Sequence, residues 1–225
     1  MYQFLTGPML WLSFGIFFIG LIVRVLLYIR GLDWQLDRVT YTVNVSYGLR
    51  GAFRSIIFWI FPFGTRSWRL KPGMTILTFT FHICLVITPI FLMAHNVILK
   101  ERWGFSLFTL PGTVADVMTV LMLVAALFLL LRRIALPEVR LLTTVSDYLV
   151  LAIAVAPFLT GFLAVQRVPG YDFWLYTHII SGEIMLIAIP LTKLSHVVLF
   201  FLSRAQLGMD FGIKRGGMKG KGLVW

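Results

Sequence analysis

His82, His95, His178 and His196 are the only histidines in 225 residues, and each lies inside a long apolar stretch. Ionisable side chains in lipid are costly and usually functional. The four are confined to two stretches, 74–99 and 176–202, one near each end of both. If those stretches are antiparallel membrane helices, His82 stands opposite His196 at one depth and His95 opposite His178 at the other. Two facing imidazoles at one depth are what an iron porphyrin needs, an axial nitrogen on each face of the ring. Two such levels would stack two b-type haems across a bilayer, with His82 and His196 on the inner iron and His95 and His178 on the outer. Four separate hydrogen-bonded packing histidines are the plain alternative. A di-metal site fits less well, because the pairs are far apart and no carboxylate cluster accompanies them.

The spacings test this reading. His178 and His196 are 18 residues apart, about 27 Å of helical rise and five whole turns, which puts both on one face. His82 and His95 are 13 apart, about 20 Å and about 140° out of alignment on an ideal helix. Pro89 and Pro190 lie between the members of each pair and can kink the helices.

Other residues complete the inventory. Cys84 is the single cysteine, which excludes disulfides, CxxC redox pairs, cysteine-ligated iron–sulfur clusters and CxxCH haem attachment. Haem propionates need cations, and Lys193, Arg132, Arg133 and Arg140 are candidates at the inner level. Lys193 precedes His196 by three residues; snorkelling to the interface is its equal alternative. Arg24 reads as a snorkelling side chain. Glu183, five residues after His178, could take quinol protons or orient an imidazole. Asp116 and Asp147 read as helix N-terminal stabilisers, and Cys84 and the nine methionines as packing. Gly15, Gly20, Gly161 and Gly182 could admit a close helix or ring.

The elements that must position these residues are membrane helices. The chain is 59% apolar and 13% charged, with mean hydropathy +0.91, far from a soluble domain at about 25% charged. Five stretches reach the roughly 20 apolar residues of a spanning helix: 7–29, 74–99, 114–131, 148–165 and 176–202. The first lacks the basic lead and cleavage site of a signal peptide. The fold class expected is all-α integral membrane, one five-helix bundle. Between the first two helices, residues 49–61 read as an interfacial amphipathic helix that anchors to lipid or docks a partner. Residues 208–225 read as a flexible, basic, glycine-rich tail.

The formal charge of +11 would suggest nucleic acid in a soluble protein; here it signals topology and anionic lipid, not nucleic acid. Fifteen Lys and Arg fall in the 30–73 and 132–147 loops and the 203–225 tail, against Lys100, Arg102 and Arg167 on the other side. The expected orientation is a periplasmic N-terminus and a cytoplasmic C-terminus, multi-pass in the inner (cytoplasmic) membrane. Trp11, Trp103 and Trp174 would sit in the outer aromatic belt.

The five-helix layout, the 18-residue separation of His178 and His196, and the run Arg132-Arg133-Ile134-Ala135-Leu136-Pro137-Glu138-Val139-Arg140 with Thr143, Thr144 and Asp147 carry a resemblance. The sequence resembles the gamma subunit of respiratory nitrate reductase, a dihaem cytochrome b. Within that family it looks closest to the cytochrome b subunits of the sulfate reducers' high-molecular-weight cytochrome complex. It departs from nitrate reductase in the longer His82–His95 spacing. The resemblance implies two haems b, and menaquinone as a possible electron partner. It also implies a periplasmic multihaem cytochrome c, a cytoplasmic iron–sulfur subunit and other membrane subunits as partners. The chain would then be an electron-transfer subunit of an oxidoreductase complex, not a complete enzyme. A quinol-oxidising gamma-type subunit is an alternative in the same class; a haem-free anchor or transporter subunit is one from another. A transporter normally shows repeated halves or broken helices around midplane polar sites, and five helices with no internal repeat argue against it.

Overall fold

The computed structural model describes residues 1–32 and 45–214, apart from the side chains of Tyr47 and residues 211–214. Arg38, Arg215, Lys219 and Lys221, and the expected tail from 215 on, lie outside the described residues. Within them the chain is helical, without strands: α1 (Tyr2–Arg30), α2 (Val45–Ile60), α3 (Arg66–Leu70), α4 (Pro72–Phe91), α5 (Met93–Trp103), α6 (Gly112–Ala135), α7 (Pro137–Arg140), α8 (Val145–Val165), α9 (Tyr171–Leu191) and α10 (His196–Lys214). Five of these, α1, α4, α6, α8 and α9, are long and apolar enough to cross a membrane. The protein is a multi-pass membrane protein.

The helix starts follow local chemistry. Thr144 caps α8 through a capping box, in which the Thr144 backbone N–H donates to the Asp147 carboxylate at 2.8 Å, the role expected of Asp147. Thr65 caps α3 by accepting from the Trp68 N–H. Pro8 sits in a wide π-turn, Leu5–Met9, at the start of α1, where a missing N–H is tolerated.

Two stretches expected to be single helices are broken. The chain of 74–99 turns extended at Leu92 (ψ 132°) between α4 and α5. The chain of 176–202 leaves the helix at Thr192, makes a 3₁₀ turn over Lys193–Ser195, and restarts as α10. Each break follows a proline by two or three residues, Pro89 in α4 and Pro190 in α9. A proline removes one ladder donor and crowds the preceding turn. The phase arithmetic across each histidine pair therefore does not apply, because neither pair shares one continuous helix. Helix α10 also runs to Lys214, well past Gly208, where the sequence suggests a flexible tail.

The chain divides into two compact units. The first holds residues 1–10 and 76–185. Its core is Phe81, Cys84, Met122, Ala125, Ala126 and Phe158, from α4, α6 and α8, so Cys84 is a packing residue as expected. Alanines such as Ala115, Ala125, Ala126 and Ala154 lie inside beside Phe81, Met122 and Phe158, and many large apolar side chains such as Ile83, Val120, Leu127 and Leu159 face outward. That inversion suits lipid, where helices associate through close small-residue contacts.

The second unit holds residues 11–75 and 186 onward. Its most extensive helix pairing is α2 against α10. Gly48, Gly51, Ala52 and Ser55 are buried on α2, the i, i+3, i+4, i+7 positions of one face. On α10, a Cβ at Gly208 would stand within 2.3 Å of the Gly51 carbonyl oxygen. Both backbones approach too closely for any side chain there. The expected amphipathic helix at 49–61 thus runs from Val45 to Ile60 and is packed on α10 through its small-residue face.

Candidate haem-ligand histidines and the helix breaks

All four histidines make the same bond. Each Nδ1 lies 2.8 Å from a backbone carbonyl oxygen: Thr78 for His82, Pro89 for His95, Pro157 for His178 and Lys193 for His196. A carbonyl only accepts, so Nδ1–H donates and the lone pair of the neutral ring lies on Nε2. A metal-binding imidazole is held in this way, its tautomer fixed through the other nitrogen.

The structure brings one pair together. The His95 and His178 rings have centroids 5.8 Å apart and planes 12° from parallel. Two imidazoles coordinating one metal from opposite sides stand about 6 Å apart between ring centres, given metal–nitrogen bonds of about 2 Å. Both rings are half-buried. His178 fits because α8 has no side chain at Gly161, where a Cβ would stand 2.7 Å from the His178 Nδ1. The close approach expected at Gly161 is therefore to the His178 ring. Nothing lies within 4 Å of a Cβ at Gly182 or Gly15.

His82, on α4 in the first unit, and His196, the first residue of α10 in the second, are both exposed. His82 lies on one of the five helices long and apolar enough to cross a membrane; His196, on α10, lies outside them. Among the described residues no three of His, Cys, Asp and Glu gather to hold a metal ion. The pair of imidazoles brought together among the described residues is His95 and His178.

The first break explains why His95 stands where it does. A helix end in lipid must find partners for its last carbonyls. The Pro89 oxygen accepts from His95 Nδ1, the Ile90 oxygen from Asn96 Nδ2 at 2.9 Å, and the Phe91 oxygen from the Leu110 N–H at 2.9 Å. Asn96 is 2% exposed and its Oδ1 accepts from the Leu107 N–H at 2.7 Å. The sequence reading passed over Asn96. An amide next to a histidine and just after a proline, in an apolar stretch, is the signal that could have found it.

The second break corrects the reading of Arg24. Its Nε donates to the Pro190 oxygen at 2.6 Å and a terminal nitrogen to the Leu191 oxygen at 3.2 Å. Arg24 is a cap, not a snorkelling side chain, and its charge suits the negative end of α9. Gly20, one turn earlier, makes room: a Cβ there would stand 2.6 Å from Pro190 Cβ. Thr192 closes the remaining bond, its N–H and Oγ1 both donating to Ala188 O.

The remaining candidates are dispersed. Lys193 is exposed on the 3₁₀ turn, so the spacing of one continuous helix does not apply to it and His196; its carbonyl accepts from His196 Nδ1. Arg132 and Arg133 lie half-buried in the last turn of α6, and Arg140 exposed at the end of α7, all in the first unit. Glu183 on α9 is 4% exposed, and its Oε1 has no hydrogen-bond partner. Asp116 is half-buried near the start of α6.

No known protein-family model matches the chain. It is 58% identical over 226 residues to a protein of Nitratidesulfovibrio vulgaris strain Hildenborough, an alignment that covers the whole of both chains. At that identity and full coverage, the chain belongs to the same family as the Nitratidesulfovibrio protein.

Proposed function

We propose that this protein is the dihaem b membrane subunit of a respiratory redox complex. It carries electrons across the inner membrane between a periplasmic multihaem cytochrome c or the menaquinone pool and a cytoplasmic iron–sulfur subunit. The observation that carries the reading is the common state of the four histidines, each with Nδ1 on a backbone carbonyl at 2.8 Å. His95 and His178 would hold the outer haem, His82 and His196 the inner. The haems supply one-electron redox chemistry at two depths. The chain's own residues fix the imidazole tautomers and close the helix breaks. Glu183, buried with one oxygen unbonded, would accept a proton from quinol.

The test is pyridine haemochrome quantification on the purified protein. Two non-covalent haems b per chain are expected; none, or a covalently attached haem, would overturn the reading. His95→Ala and His196→Ala should each remove a different haem, and loss of the same haem from both would overturn the pairing.

The two broken helices favour a second reading, a haem-free transporter subunit. In a transporter, however, carbonyls unwound at the break coordinate the ion. Here those of Pro89, Ile90, Phe91, Pro190 and Leu191 are all occupied by the chain's own donors. The haem count separates the two readings.

A further inference from the structure

The second unit contains a pocket that the reading above leaves unassigned. It has a volume of about 310 Å³, and its walls include Tyr28, Trp59, His196, Phe200, Ser203 and Arg204. That is at the small end of ligand cavities, about 300–1,000 Å³, and suits one edge of a flat ring system. His196, Phe200, Ser203 and Arg204 occupy positions i, i+4, i+7 and i+8 of α10, a single helix face. This face runs from a metal-ligand candidate to a cation over about 12 Å of rise.

The cation is held in place. The Arg204 guanidinium carbon lies 4.5 Å from the centre of the Trp59 ring. Trp59 rests edge-on against Trp68, with centroids 5.5 Å apart, and the Trp68 carbonyl accepts from Thr75 Oγ1 at 2.7 Å. On another wall, the Tyr28 hydroxyl donates to Gln206 Oε1 at 2.5 Å. A stacked guanidinium keeps its in-plane N–H donors available for a carboxylate. Among the described residues Arg204 makes no ion pair with Asp or Glu. Burial pulls its pKa below the usual arginine value, with Tyr28 acting in the opposite direction.

We propose that Arg204, fixed on the Trp59 ring two turns beyond His196, binds a propionate carboxylate of the haem ligated by His196. This is the role the sequence suggested for Lys193, Arg132, Arg133 and Arg140. The proposal rests on the dihaem reading. The guanidinium lowers the energy of the extra negative charge that reduction places on the haem, so its removal drives the potential down.

The test is a spectroelectrochemical titration of the full chain in detergent, with haem counted in every preparation. His196→Ala identifies which potential belongs to the pocket haem. Arg204→Gln should move that potential to a more negative value and leave the other unchanged, and Arg204→Lys should recover part of the shift. Trp59→Leu, which removes the ring but not the charge, should give a smaller shift of the same sign, and it serves if Arg204→Gln does not fold. Two haems with both potentials unmoved in Arg204→Gln, or in Trp59→Leu where only that variant folds, would overturn the proposal and leave the dihaem reading intact. A wild-type protein without haem b would overturn both.

Discussion

At Leu92 the released carbonyls of Pro89, Ile90 and Phe91 are taken by His95, Asn96 and Leu110, all within the next 21 residues and all neutral donors. At Thr192 the carbonyls of Pro190 and Leu191 are taken by Arg24, a charged group 166 and 167 residues earlier in the chain. A local closure forms as soon as α5 and the loop to Leu110 fold onto the end of α4. The remote one requires α1 to be in place, and it spends a membrane-embedded charge on two hydrogen bonds and the α9 dipole. The two candidate ligands inherit this difference. His95 is part of its own break's closure, so moving its ring reopens the end of α4. His196 lies beyond its break, its Nδ1 on the Lys193 carbonyl of the 3₁₀ turn, and its position depends on whether Arg24 holds α9 where it ends.

The comparison can be broken most strongly at Asn96. Asn96→Leu strands the Ile90 oxygen and the Leu107 N–H, whose bonds to the 2%-exposed Asn96 side chain are part-buried. With about 1–3 kcal/mol for each stranded group, the expected loss is about 3 kcal/mol, measured by thermal unfolding in detergent. A loss under about 1 kcal/mol would mean that the local closure is dispensable. Arg24→Leu comes next, at about 2–3 kcal/mol, because two carbonyls lose their donors in an apolar setting. Arg24→Lys sharpens the result: a point charge without the guanidinium fork should recover only part of the loss. In the absorption spectrum, Arg24→Leu should disturb the haem proposed at His196 more than the one proposed at His95, and equal disturbance would remove the distinction between the breaks.

Two glycines give smaller effects. Gly20→Ala drives a methyl into Pro190 and should cost about 1–2 kcal/mol by overpacking, again in the melting curve. Gly161→Ala drives one into the His178 ring, so the same order of loss should come with a changed spectrum of the haem proposed at His95 and His178. Gly15→Ala, in open space on the same α1 helix, should stay within about 0.5 kcal/mol of wild type. If Gly15→Ala destabilised α1 as much as Gly20→Ala, helix geometry and not contact with Pro190 would be responsible.

Much of the fold was legible because its cause is compositional. Five runs of apolar residues long enough for lipid become five spanning helices wherever they pack, and Thr144 with Asp147 announces the start of α8 locally. The clustering of all four histidines in apolar stretches was legible for the same reason, since burial of an ionisable group requires an explanation even without coordinates. Pro89 and Pro190 were visible too, but a proline states only that one donor is missing. Whether the helix bends or stops depends on what can satisfy the carbonyls it frees. That is decided by residues far away in sequence, Arg24 for α9 above all, and by glycines that let them approach. The sequence alone therefore determined which segments meet lipid and which side chains can ligate a metal. Only the tertiary structure decided where the helices end, that His95 and His178 face each other at 5.8 Å, and that Arg204 lies on Trp59 beside His196. Hydrogen-bond closure in an apolar medium is a property of three-dimensional neighbours, whereas the partition of a segment into lipid is a property of the segment itself.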